Sequence, residues 1–79
     1  MGTKNDPAAF DCYANAEPDE PMFVLLARDK YASVIVEQWA RMRSTEIDMG
    51  ERPESDRAQV KEAFACAKAM TQWRKEHRR

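Results

Sequence analysis

Apolar residues are spaced in three different ways along this chain, and each spacing predicts an element. The cleanest is helical: Val60, Ala63, Phe64, Ala67, Met70 and Trp73 form a stripe, with Lys61, Glu62, Lys68, Gln72 and Lys75 mostly off it. A broader helical face precedes it, made of Tyr31, Val34, Ile35, Val36, Trp39, Ala40 and Met42, with Glu37, Gln38, Arg41 and Arg43 largely outside. These patterns predict two long helices over about residues 30–48 and 54–76. Asp29 is the expected cap of the first and Gly50 its stop; Pro53 or Ser55 opens the second.

The third spacing is no spacing at all. MFVLLA, within residues 21–27, is a contiguous apolar run, which periodicity cannot assign. The Asp19-Glu20-Pro21 lead-in and the helix formers Leu25, Leu26 and Ala27 favour a short helix. The other option is a short buried strand, which would need a partner strand to satisfy its backbone. Upstream, Asp6-Pro7 reads as a helix start, Phe10, Tyr13 and Ala14 share one face, and Pro18 ends the element. The expected fold is therefore all-α: one domain over 1–79 with loose ends at 1–5 and 77–79. Its two long helices form an antiparallel pair, covered by the short N-terminal helix and the 21–27 segment. Phe23, Leu26, Ile35, Trp39, Val60, Phe64, Met70 and Trp73 are the expected core.

Length qualifies this picture. A chain of 79 residues buries only about 60% of the surface it exposes when unfolded, and chains this small often gain stability by oligomerising. With so many aromatics and methionines in so short a sequence, a homodimer is expected. Composition agrees with a helical globule: two glycines, 34% charged and 43% hydrophobic residues. The first residues lack the apolar core of a secretory signal, and no run approaches the ~18 apolar residues of a membrane span. Cytoplasmic placement, no membrane contact and free thiols at Cys12 and Cys66 are the expectation, with a disulfide between the two as the alternative.

The net charge of −1 hides an asymmetry, because residues 1–29 sum to −4 and residues 51–79 to +3. Head-to-tail pairing and the preference of cations for a helix C-terminus account for most of it. What remains is a basic surface for an acidic partner, for which Arg41, Arg74, Lys75, Arg78 and Arg79 are the candidates. Arg28, Lys30 and Tyr31 form a second candidate group: two cations and a ring at a break between elements, suited to a phosphate and a base. Asp29 counts against it by competing for the same helix end. DNA recognition by the last two helices is disfavoured, since Glu54, Asp56 and Glu62 interrupt the basic residues. Cys12, Cys66 and His77 lack the number and spacing of metal ligands, and the chain has neither phosphate-loop glycines nor a cysteine with a base beside it. No catalytic residue, metal or cofactor is expected, and the chain reads as a non-enzyme.

The segments EPMFVLLARDK, VEQWA and EAFACAKAMTQW resemble those of small bacteriophage and prophage proteins, over about residues 11–73. The shared residues read as capping and core positions, and no activity comes with the likeness, so it assigns no functional residue. It implies a context: a small phage accessory protein that binds and blocks or regulates a host component, such as a defence complex. An oligomeric binder of nucleotide signals is the alternative, and a DNA-binding regulator the second.

Overall fold

A computed structural model of the chain describes residues 1–77. The fold is all-α, with no strand among the described residues: α1 (Cys12–Asn15), α2 (Ala32–Asp48), one 3₁₀ turn (Glu54–Asp56) and α3 (Arg57–Glu76). The long helices pack on each other and make most of the tertiary contact. Their boundaries follow from local chemistry. Asp29 accepts the Tyr31 N–H on its carboxylate and the Ala32 N–H on its carbonyl, so it organises the turn ahead of α2 rather than capping it directly. At the other end Gly50 adopts φ +78, its N–H donates to the Ile47 carbonyl, and the Glu51 N–H donates to that of Glu46. That pair of bonds is a Schellman stop, which satisfies two carbonyls the helix leaves open. Arg57 ties the junction together, donating to Ser44, Asp48 and Glu54. Hydrogen bonds to Glu54 and then Asp48 push its guanidinium further above the ordinary arginine value.

The seam between α2 and α3 is built mainly from small side chains. Ala32, Ala40, Ala63 and Ala67 are buried, and Ile47 and Val60 are the only larger buried residues among those described. Met1, Val36 and Trp39 pack against this cluster from outside, and Arg43 lies 5.2 Å over the Trp39 ring. Alanines let two helices approach closely, and that closeness leaves bulky neighbours on the flanks of the seam. Of the eight expected core residues, Val60 is buried and Trp39 and Met70 are half-buried. Phe23, Leu26, Ile35, Phe64 and Trp73 are instead exposed, Phe23 to 86%.

The reason lies in residues 21–27, which form neither the expected helix nor a strand. The lead-in closes a turn at Pro18-Asp19, where the Glu20 N–H donates to the Glu17 carbonyl; Pro21 offers no N–H to a helix, and six residues without a polar face are too few to sustain one alone. The run closes in a turn, where the Asp29 N–H donates to the Leu26 carbonyl. With no helix returning across the pair, the large residues on its open side stay in solvent. The N-terminal helix also differs from expectation. It is a single turn capped by Asp11, whose carboxylate accepts the Tyr13 and Ala14 N–H groups. Asp6 and Pro7 instead belong to a turn in which Thr3 and Asp6 exchange backbone hydrogen bonds and Ala8 takes φ +64. That turn returns the chain so that the Met1 amino group donates to the Phe10 carbonyl. Residues 1–5, expected loose, thus carry a packed Met1 and a hydrogen-bonded Thr3.

Candidate functional site

Two concave surfaces flank α3. The first is a cleft of about 720 Å³ lined by Arg28, Ser33, Thr71, Trp73, Arg74, Lys75 and His77. Arg28 comes from the turn that ends the apolar run, Ser33 from the first turn of α2, and the others from the last two turns of α3 and its cap. Thr71, Arg74 and Lys75 sit at helical three- and four-residue intervals, which puts them on one face. Trp73 and His77 stack at 4.1 Å with rings 10° apart. His77 Nδ1 lies 2.9 Å from the Trp73 carbonyl, which can only accept, so that nitrogen carries the proton. The His77 backbone N–H donates to the same carbonyl. Among the described residues, no carboxylate lines the cleft.

The second surface is a groove of about 520 Å³, mostly apolar, between the N-terminal turn, residues Leu25–Arg28 and the Glu62–Trp73 side of α3. Arg28 and Trp73 line both and form the partition between them. Cys66, half-buried, lines the groove, and Cys12 is exposed; both thiols are free.

The structure regroups the residues that the sequence singles out. Arg28 joins Arg74 and Lys75, although the sequence assigns them to separate candidate groups. Lys30 and Tyr31 do not line the cleft; Lys30 Nζ lies 5.0 Å from the Tyr31 ring centre, and the pair is exposed. Arg41 points along α2 and pairs with Glu37 at 2.6 Å, one turn away. Arg78 and Arg79 lie outside the described residues. Asp29, the expected obstacle to an anion, has its carboxylate engaged by the Tyr31 N–H. Ser33, Thr71 and His77 are not among the site residues the sequence suggests, and Trp73 is expected in the core. For the α3 members a signal existed in the helical spacing of Thr71, Arg74 and Lys75 and of Trp73 and His77. None existed for Ser33, whose place depends on how α2 meets α3. The cations of α3 are not a continuous strip, because Arg57 is committed to Glu54 and Asp48.

Comparison of the chain with protein-family models, with curated proteins and with solved structures returns no match. Among the described residues, no helix is long and apolar enough to cross a membrane. Among the described residues, no three His, Cys, Asp or Glu side chains converge as metal ligands would.

Proposed function

We propose that the chain is a non-enzymatic, bacteriophage-type accessory protein that binds a host macromolecule, such as a defence complex, and blocks or regulates it. One observation carries the reading. The chain exposes 6600 Å², whereas a folded monomer of 9.2 kDa should expose about 4,900 Å². The excess is on the order of 1,700 Å², about twice what one partner contributes to a standard protein interface. The exposed residues include Phe23, Val24 and Leu26 in the 21–27 segment and Val34 and Ile35 on α2. Several large apolar side chains left in solvent on so small a protein support an interaction site. The phage context rests on the sequence likeness alone.

The reading takes α2 and α3 as an antiparallel pair. Arg57, at the start of α3, reaches back to Ser44 and Asp48 near the end of α2, and Ser33, at the start of α2, shares a cleft with Thr71 and Trp73. The surface the pair leaves open is then the face that the 21–27 segment borders. The test compares the immobilised chain with a Phe23→Ser/Val24→Ser variant in capture from bacterial lysate at mild salt. A host protein retained in stoichiometric amount by the unaltered chain and lost from the variant is the expected result. Recovery of none, or equal recovery on both, overturns the reading.

A further inference from the structure

We propose that the cleft between the Arg28 turn and the end of α3 is a nucleotide-binding site, with Arg28, Arg74 and Lys75 on the phosphate and the Trp73–His77 stack on the base. This stands apart from the partner-binding reading and uses a different surface.

Charge is the first argument. Among the described residues, three cations line one cleft that no carboxylate lines, and none of the three enters an ion pair. Arg41, Arg52 and Arg57, in contrast, each hold a carboxylate within hydrogen-bond reach, and Arg43 lies over the Trp39 ring. A helix C-terminus attracts Arg74 and Lys75 by its dipole. It does not bring Arg28, which arrives from a segment more than forty residues earlier in the chain. A phosphate offers these groups what the chain withholds, an anion that takes forked arginine donors.

Shape and lining give the second argument. About 720 Å³ lies within the roughly 300–1,000 Å³ usual for small-molecule sites. The hydroxyls of Ser33 and Thr71 provide neutral donors beside the cations, although Thr71 also donates to the Ala67 carbonyl. Trp73 is 40% exposed and already stacked on His77, so ring surface is open to a further planar ring in the same cleft. Inorganic phosphate would leave that surface unused.

Calorimetric titration with AMP, GMP, CMP and UMP, alongside ribose 5-phosphate and inorganic phosphate, decides the matter. At least one mononucleotide is expected to bind more tightly than ribose 5-phosphate and than phosphate. Arg28→Gln and Arg74→Gln should each weaken it by roughly tenfold or more, the loss of a charge-assisted hydrogen bond. Lys61→Gln, on α3 but outside the cleft, should leave it unchanged, with circular dichroism checking that all three variants stay helical. Binding of none of the four nucleotides overturns the proposal. So does affinity that Arg28→Gln leaves intact, and phosphate binding as tightly as the nucleotides removes the base from it.

Discussion

At the scale of single residues, the junction between the long helices depends on two residues that act in different ways. Gly50 supplies conformation. Its φ of +78 lies where a Cβ is unfavourable, yet an added Cβ would meet no atom within 4 Å. Gly50→Ala therefore isolates the backbone term, and it should cost about 1 kcal/mol. For a domain of this size that lowers the thermal midpoint by roughly 4–8 °C, readable by circular dichroism. A larger loss would mean that the turn is packed, contrary to the open space around it. Arg57 supplies charge instead, joining the loop acid Glu54 to Asp48 at the end of α2. Because its pKa is raised, its contribution is complete below the ordinary arginine value and fades only as pH rises through the still higher folded value. The Arg57 charge itself thus lends no pH dependence around neutrality.

At the scale of elements, the division between a thin buried seam and a broad exposed flank sets what each part contributes to stability. Ile47 is buried among Ala40, Val60 and Ala63, so Ile47→Ala opens a cavity at the centre of the cluster. The expected cost of about 2–5 kcal/mol rivals the whole stability of a chain this small, and the variant should be largely unfolded in urea titration at 25 °C. Phe23→Ser removes a larger side chain, yet it should change the stability of the isolated chain by no more than about 0.5 kcal/mol, because Phe23 is already in solvent. The ranking by position rather than by size is the measurable point. It also separates what the sequence made legible from what it did not. The spacing at Val60, Ala63 and Ala67 and the glycine at position 50 are local signals, and the helices and the turn follow them. Phe64 and Trp73 share the same stripe, but whether they are covered depends on a third element, which the 21–27 run does not provide. The cleft has the same logic: Arg74 and Lys75 were legible on α3, whereas their meeting with Arg28 is a tertiary event that no local spacing records.

At the scale of the whole molecule, the exposed flank predicts that the chain does not stay alone in solution. Its Cα radius of gyration, 13.4 Å, exceeds the roughly 12 Å expected for a compact domain of its length, and its extents of 42 × 29 × 20 Å describe a flattened body. One face of such a body can be covered by a second copy, burying Ile35, Val34 and the Phe23 segment against their equivalents around a twofold axis. A standard interface takes about 800 Å² from each partner, so a homodimer would use only about half of the excess area and leave the rest for another macromolecule. Self-association that buries apolar surface adds its free energy to folding, which makes the thermal midpoint rise with protein concentration. Light scattering should accordingly give about twice the 9.2 kDa of one chain at high concentration. Ile35→Asp should return the mass to that of a single chain, because it puts a carboxylate into the exposed apolar surface that self-association would bury, at a position of α2 where the lone chain tolerates it. A 9.2 kDa species at every concentration, with a thermal midpoint that does not move, would rule the homodimer out and leave the whole exposed surface to a different partner.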